Sequence, residues 1–206
     1  MRWLLVVLTM MALPAKADGE AGVFDYYVMA LSWSPSWCAE IGDARGSEQC
    51  ERSLGFILHG LWPQYEEGWP DYCRTTQSDP SRRETGAMAD IMGTGGSAWH
   101  QWQKHGRCTG LSSRNYFALS RVAYESVERP AILRQLTDAI RIDPAVIEAA
   151  FLEANPGMSR DGVTVTCKDG RIQEVRICLT RDLEPRTCGQ DVLRDCTYTA
   201  TLPPMR

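Results

Sequence analysis

The segment Phe56-Ile-Leu-His-Gly-Leu-Trp-Pro63 decides how the rest of the chain is interpreted. Its apolar part, Leu54–His59, is short and is followed by Gly60 and a proline, which predicts a β-strand whose end delivers the histidine. A titratable ring would then emerge from an apolar strand next to the large ring of Trp62. A histidine taken alone is more often structural than catalytic, so the interpretation depends on the other histidines.

The second informative segment, Trp99-His-Gln-Trp-Gln-Lys-His-Gly-Arg-Cys108, holds the other two of the three histidines. It predicts a helix over Ser97–His105. At 100° per residue, four polar side chains share one face of this helix: His100, Gln101, Lys104 and His105. Trp99 and Trp102 fall on the opposite side and are expected to anchor the helix in the core. Two histidines beside a lysine indicate a site for an anion.

Metal binding is the main competing interpretation of such a histidine pair. Helical zinc ligands usually stand at i and i+4, whereas His100 and His105 stand at i and i+5 with a cation, Lys104, between them. The cysteines form no C-x-x-C pair and their spacings are long and irregular. We therefore expect no metal and no other cofactor.

The first 17 residues and the net charge indicate an exported, acidic protein. Residues 1–17 combine Arg2, an apolar run and Ala15-Lys-Ala17, which is typical of a cleaved signal peptide and too short for a membrane anchor. Without this segment, 20 basic residues remain against 26 acidic ones, a net charge of about −6 with neutral histidines. A polyanionic substrate would then require a local cluster of cations.

Eight cysteines, an even number, all follow the predicted signal peptide, which favours four disulfides in an oxidising compartment. No Asn-x-Ser/Thr sequon occurs. We expect a periplasmic or secreted protein with no membrane anchor after signal removal.

Residues 18–206 have the length of a single domain, and their patterns predict an α+β fold. Strands are predicted over residues 23–33, 54–59, 163–167 and 171–180, the last two joined by a hairpin turn at Asp169-Gly170. Helices are predicted over residues 97–105, 113–127, 130–140 and 144–154, the last with Asp143 as its cap. Residues 65–96 are expected to be mainly loop.

The two histidine segments resemble, in residue type, order and spacing, the two active-site segments of the T2 ribonucleases. Weaker similarity includes Phe24-Asp-Tyr-Tyr, Gly68-Trp-Pro-Asp-Tyr-Cys73 and the paired cysteines near the end. The resemblance implies a central antiparallel sheet flanked by helices. It also implies a metal-independent endoribonuclease that cleaves single-stranded RNA through a 2′,3′-cyclic phosphate to 3′-phosphate ends.

The resemblance also implies roles for individual residues. His105 would be the general base that takes the proton of the ribose 2′-OH, and His59 the general acid for the leaving 5′-oxygen. Lys104 would stabilise the charge of the pentacoordinate phosphorane, and His100 would bind phosphate. The implied disulfides are Cys38–Cys50, Cys73–Cys108, Cys167–Cys196 and Cys178–Cys188.

This sequence departs from the family at position 101, where Gln101 stands in place of the usual glutamate. An amide cannot shift a histidine pKa by charge or exchange protons, so the activity or its pH dependence would differ. Arg107, where the family often has threonine, adds a cation that could partly offset the change in phosphate binding.

Base recognition is predicted around the first motif. By the resemblance, Trp62 and Gln64 fall where the family builds its main base pocket, with Trp62 suited to stacking. Tyr65, Trp69 and Tyr72 are candidates for a second aromatic face. Gln64 carries a donor and an acceptor and so does not fix which base is bound.

The expected partner is RNA, bound by a monomer that spares DNA because DNA lacks the 2′-OH nucleophile. The alternative function is a T2-like protein that binds RNA or another partner with weakened catalysis, because Gln101 replaces the acid; the presence of both His59 and His105 argues against it. A disulfide-stabilised structural module would account for the cysteines but not for the two motifs.

Overall fold

A computed structural model describes residues 19–206 of the chain. The predicted signal peptide, residues 1–17, lies outside the described residues. No helix within residues 19–206 has both the length and the apolar character needed to cross a membrane.

The described residues form six strands and six α-helices in an α+β arrangement. The strands are β1 Tyr26–Trp33, β2 Phe56–Gln64, β3 Ile140–Ile142, β4 Val163–Lys168, β5 Arg171–Leu179 and β6 Ala200–Leu202. The α-helices are α1 Ser34–Trp37, α2 Arg82–Gly86, α3 Ala89–Met92, α4 Gly95–Lys104, α5 Ser113–Ser126 and α6 Pro144–Ala154. A π-helical segment follows α1 at Cys38–Gly42, and short 3₁₀ turns occupy Asp43–Arg45, Glu48–Glu51, Gly106–Thr109, Ala131–Gln135 and Arg160–Gly162.

All strands of the described residues join one sheet in the order β2–β1–β5–β6–β3, with β4 also paired to β5. The β4–β5 hairpin turns at Asp169 and Gly170, both with positive φ, as the Asp-Gly pair predicts. The sheet is antiparallel, as expected, at every pairing of the described strands but one: β6 pairs with β5 in parallel through Arg171 and Thr201, which makes the sheet mixed. A long connection separates these two strands, so no hairpin forces them to be antiparallel.

The segment predicted as a helix over residues 130–140 is not one. It contains only the 3₁₀ turn Ala131–Gln135 and then the start of strand β3, which pairs with β6. The chain is already extended at Leu136, and the β-branched residues Ile140 and Ile142 join the sheet. Pairing with a strand from the far end of the chain overrides the local helical pattern.

The main hydrophobic core lies between one face of the sheet and the helices. Residues from both sides are fully buried there, among them Met29, Leu31, Leu58, Leu61, Trp102, Tyr116, Ile147 and Phe151. A smaller apolar cluster on Tyr26, Val28 and Cys178 covers the opposite face together with the C-terminal segment. The candidate site lies on this second face.

All eight cysteines are paired in disulfides, as Cys38–Cys50, Cys73–Cys108, Cys167–Cys196 and Cys178–Cys188. This is the pairing that the resemblance implies. The Cys73–Cys108 bond ties the loop after β2 to the turn after α4, and the Tyr72 amide donates to the Lys104 carbonyl at 2.8 Å beside it. The end of α4 is therefore fixed to the loop.

Candidate active site

His59 lies at a β-bulge in the middle of β2, not at the end of a strand as predicted. On β1, Ala30 pairs with Gly60 and Leu31 pairs with Leu58, so His59 is the extra residue between them. The bulge lets Leu58 and Leu61 both face the core while the His59 side chain remains 43% exposed. The strand continues to Gln64 because the bulge absorbs the change in direction.

Gly60 permits the close approach of the helix to this bulge. A Cβ atom at Gly60 would lie 2.2 Å from Oε1 of Gln101 and 2.3 Å from Nε1 of Trp62. Any other residue would displace the Gln101 amide or the Trp62 indole and so disturb the hydrogen bond between them, because contacts this short do not occur between real atoms. The glycine of the first motif is thus required by packing.

A buried carboxylate holds the His59 ring from behind. Nδ1 of His59 lies 2.5 Å from Oε1 of Glu174, whose side chain is 3% exposed. The other carboxylate oxygen of Glu174 accepts hydrogen bonds from Nε and Nη2 of Arg176 at 3.0 and 2.9 Å. Burial by itself raises the pKa of Glu174, but the interactions with His59 and Arg176 outweigh it and lower the pKa.

His105 of the second motif lies just after the last residue of α4 rather than within the helix. Thr94 caps the start of α4 by accepting from the Ser97 amide, and His105 has already left helical geometry when its amide donates to the Gln101 carbonyl. The His105 side chain is 5% exposed, and its Nδ1 has no hydrogen-bond partner among residues 19–206. Because Nδ1 is buried, the nitrogen available to a substrate is Nε2.

The surroundings of His105 favour its neutral form. Burial lowers the pKa of His105 far below its usual value, and the positive charges of Lys104, His59 and His100 lower it further. Partial burial and the same neighbours, Lys104 and His59, lower the pKa of His100. A neutral imidazole at physiological pH is the form that accepts a proton.

Trp62 connects the two histidine segments. Its ring stacks on His105 with centroids 5.1 Å apart and an angle of 26°, and meets His59 edge to face at 5.2 Å. Its Nε1 donates to Oε1 of Gln101 at 2.7 Å. The indole thus fixes the distance between the two histidines. The sequence predicted only base stacking for Trp62 and did not anticipate this role.

A cleft of about 380 Å³ opens beside these residues, within the ~300–1,000 Å³ typical of small-molecule sites. Side chains from both motifs and from the rest of the chain line it: His59, Trp62, Gln64, Trp69, His100, Gln101, Lys104, His105, Arg176, Asp191 and Arg194. Lysine and arginine therefore outnumber aspartate in the cleft of an acidic protein. The expected local cluster of cations includes two arginines that the motifs did not reveal.

The residues predicted to bind a base separate into two groups. Trp62, Gln64 and Trp69 line the cleft, and Trp69 presents a half-exposed ring there. Tyr65 packs against the hydrophobic core and Tyr72 is exposed, but neither lines the cleft. Gln64 is almost fully buried, and its amide donates to the Pro63 carbonyl.

Two predictions about the second motif are wrong. Trp102 is fully buried as expected, but Trp99 is 43% exposed because it projects beside the short helix α2 rather than into the core. Arg107 does not reach the cleft, since its guanidinium is paired with Asp79 at 2.7 Å. Asp79 also accepts from Nε1 of Trp102, so Arg107 anchors a loop to the helix.

Sequence reasoning missed Glu174 and Arg176. Both lie in β5, in the run Ile172-Gln-Glu-Val-Arg-Ile-Cys-Leu179. Two opposite charges two residues apart share one face of a strand, and in an otherwise apolar strand this pattern is typical of a buried ion pair. That signal was available but did not indicate which residue the pair would contact.

The described residues contain one group with metal-ligand spacing, Cys38, Asp43 and Cys50. Its two sulfur atoms are joined in a disulfide and so are not thiolate ligands. The group lies apart from the cleft.

Taken together, an α+β sheet and a cationic cleft with two differently placed histidines are the features expected of an acid–base enzyme for a phosphate-containing substrate. The family comparison agrees: residues 24–188 match the sequence model of the ribonuclease T2 family. A ribonuclease of Aeromonas hydrophila is 35% identical over 202 residues, covering 93% of this chain and 91% of that protein. The chain belongs to the ribonuclease T2 family, and the RNA-cleaving enzyme class expected from the sequence is confirmed.

Solved structures show the same fold. An RNase-related protein from Calystegia sepium has a TM-score of 0.67 at 21% identity, covering 88% of this chain and 97% of that one. RNase NT in complex with 5′-AMP has a TM-score of 0.63 at 22% identity, covering 89% and 100%. The predicted α+β, T2-like fold class is therefore confirmed.

Proposed function

We propose that this protein is a metal-independent endoribonuclease that cleaves single-stranded RNA by transphosphorylation, with His105 as base and His59 as acid. The observation that carries the proposal is the arrangement around Trp62. One indole contacts a buried, neutral histidine on one side and an exposed, carboxylate-bound histidine on the other. The two rings are thus suited to opposite proton transfers on the same substrate.

In the first step, Nε2 of His105 accepts the proton of the ribose 2′-OH, and the 2′-oxygen attacks phosphorus. The bond from phosphorus to the 5′-oxygen breaks, and His59 donates a proton to that oxygen. The products are a 2′,3′-cyclic phosphate and a new 5′-OH end. In the second step His59 removes a proton from water and the resulting hydroxide attacks phosphorus. The bond from phosphorus to the 2′-oxygen breaks, and His105 returns a proton to that oxygen, which leaves a 2′-OH and a 3′-phosphate.

The cations of the cleft would stabilise the phosphorane. Lys104, His100 and Arg176 all line the cleft, and Lys104 forms no ion pair within residues 19–206. Positive groups held in place before the reaction stabilise charge that develops on the equatorial oxygens. In this proposal Lys104 supplies most of that stabilisation and His100 mainly binds the phosphate.

Nucleotide binding would involve the aromatic side of the cleft. Trp69 offers an exposed ring, and the complex of RNase NT, a structural neighbour, contains 5′-AMP. Because one ring face of Trp62 stacks on His105, we propose that Trp69 contributes to base stacking together with Trp62. Gln64 lies nearby, with its amide engaged by the Pro63 carbonyl.

The remaining expectations stay proposals. We propose that residues 1–17 are removed as a signal peptide, that residues 18–206 form one domain, and that the protein acts as a monomer outside the cytoplasm. It would spare DNA. A protein that only binds RNA is not supported, since the Aeromonas relative is named a ribonuclease and both acid–base histidines lie in the cleft.

The mechanism predicts the products and the cofactor independence of the reaction. Incubated with a defined oligoribonucleotide and EDTA, the protein should first form 2′,3′-cyclic phosphate ends and later 3′-phosphate ends. The matching oligodeoxynucleotide should remain intact. Mass analysis of the ends over time tests both points, and activity that EDTA abolishes and zinc or magnesium restores would contradict the proposal.

Replacing Gln101 by glutamate should change the pH dependence of cleavage. The residue is 2% exposed beside the two histidines, so a carboxylate there would oppose the effects that lower the pKa of His105. Raising this pKa makes His105 a stronger base but protonates it at a higher pH. Gln101→Glu should therefore increase the maximal rate and move the acidic limb of the pH–rate profile to higher pH, measured on one dinucleotide substrate. Superimposable profiles would show that position 101 has no electrostatic role.

A further inference from the structure

The candidate cleft lacks the family's helix carboxylate, since Gln101 occupies that position, yet a carboxylate contacts a histidine from another direction. Among residues 19–206, Glu174 is the carboxylate that bonds to a cleft histidine. Glu174 lies in β5 and His59 in β2, and β1 separates these two strands in the sheet. The Glu174 side chain therefore crosses over β1 to contact His59. Ser32 of β1 supports the contact, as its hydroxyl donates to Oε1 of Glu174 at 3.3 Å.

The carboxylate is held in one position by partners on both of its oxygens. Oε1 accepts from His59 and Ser32, and Oε2 accepts two bonds from the Arg176 guanidinium. A buried carboxylate is costly unless it is paired in this way. The fold therefore maintains a charged Glu174 directly behind His59.

We infer that Glu174 is a positioning residue for His59: its carboxylate binds the Nδ1 proton, directs Nε2 toward the substrate and stabilises the protonated ring that acts as general acid. This inference rests on the proposed role of His59. A carboxylate behind a histidine selects the tautomer with Nδ1 protonated and favours the imidazolium. Proton transfer then occurs at Nε2, to the leaving 5′-oxygen in cleavage and from water in hydrolysis.

The other charged groups around His59 on the substrate side are mostly cationic, with Asp191 as the one carboxylate that lines the cleft among residues 19–206. His59 also lines a second depression, whose charged residues are Glu40, Lys168, Arg171 and Glu174. The titratable and charged residues that share the cleft with His59 are His100, Lys104, His105, Arg176, Asp191 and Arg194. Glu40 is already paired with Lys168. Lys104 and His100 line the same cleft as His59, whereas Glu174 is the carboxylate in direct contact with it.

The test compares Glu174→Gln with the wild type on two substrates. One is a dinucleotide with a poor ribose leaving group, and the other is a uridine 3′-(4-nitrophenyl phosphate), whose leaving group needs little protonation. We expect kcat/KM on the dinucleotide to fall about 10- to 100-fold, less than the ~10²–10⁴-fold that a general acid supplies. The alkaline limb of its pH profile should move to lower pH, because the acid loses its proton more readily without Glu174. The nitrophenyl substrate should lose less than about threefold.

Two comparisons separate positioning from a structural effect. Glu148→Gln removes another buried carboxylate, on α6 and outside the cleft, and should leave both substrates unaffected. The double variant His59→Ala/Glu174→Gln should be no slower on the dinucleotide than His59→Ala alone, since Glu174 acts through His59. Equal losses on both substrates, an additive double variant, or a wild-type profile in Glu174→Gln would each overturn the inference.

A measurement on the wild type covers the case in which Glu174→Gln does not fold. The chain has three histidines, so ¹⁵N NMR can resolve each imidazole. The inference expects neutral His59 with its proton on Nδ1, and a proton on Nε2 instead would overturn it. If His59→Ala keeps full activity, the proposed function fails; if His59→Ala is inactive while Glu174→Gln is normal, only this inference fails.

Discussion

His105→Ala should lower kcat on RNA by at least about 10³-fold, the largest effect expected of any single substitution. The side chain is almost fully buried and kept neutral, so it is the base best suited to take the 2′-OH proton. We expect no cleft neighbour to replace it, because Gln101 cannot act as a base and His100 is proposed to bind the phosphate rather than the 2′-OH.

The assay for this variant is single-turnover cleavage of a dinucleotide at several pH values. His100→Ala is the matched control, since it removes a histidine from the same helix and cleft and should raise KM more than it lowers kcat. Thermal unfolding shows whether removal of the buried ring destabilises the fold. A folded His105→Ala that retains a tenth of wild-type kcat would contradict the assignment of the base.

His59→Ala should also lower kcat on RNA by about 10²–10⁴-fold, but its effect should depend on the leaving group. A general acid matters when the departing 5′-oxygen is a poor leaving group and matters little when it is 4-nitrophenolate. His59→Ala should therefore lose far less activity on uridine 3′-(4-nitrophenyl phosphate), whereas His105→Ala should be impaired on both substrates because each needs the base.

This contrast assigns the two roles as well as the two residues. His59 is 43% exposed at the surface of the sheet, so its replacement should not create a buried cavity, and stability should change little. If the nitrophenyl substrate rescues His105→Ala instead of His59→Ala, the acid and the base are exchanged. If it rescues neither variant, the histidines do not act as the proposed pair.

The active-site residues differ in how far the sequence could predict them. His59, His100, Lys104 and His105 were found because short-range patterns place them, and the structure brings all of them to one cleft. Helical geometry misplaced Trp99 and the family resemblance misplaced Arg107, because the short helix α2 and Asp79 decide their surroundings. The positions of α2 beside Trp99 and of Asp79 beside Arg107 could not be predicted from the spacing of residues within the motif.

The sequence by itself determined the residue types and spacing of the two motifs, the fold class, the hairpin at Asp169-Gly170 and the helix over residues 144–154, which the structure gives as Pro144–Ala154. These features depend on residue type and on contacts between near neighbours, which periodicity and turn signals report. The mixed sheet, the bulge at His59 and strand β3 were decided by tertiary structure, because each depends on which distant strand is paired.

The same physical reason explains why Glu174 was missed. It is separated from His59 by 115 positions, and the contact exists only because β5 and β2 both lie next to β1. Because the Glu174 carboxylate is buried away from water, it must be paired, and its bond to His59 therefore constrains the orientation of that ring. The charged pair Glu174 and Arg176 is visible in the sequence as two opposite charges in an apolar strand, but it was not singled out there, and only the sheet order places its negative charge behind the proposed catalytic acid.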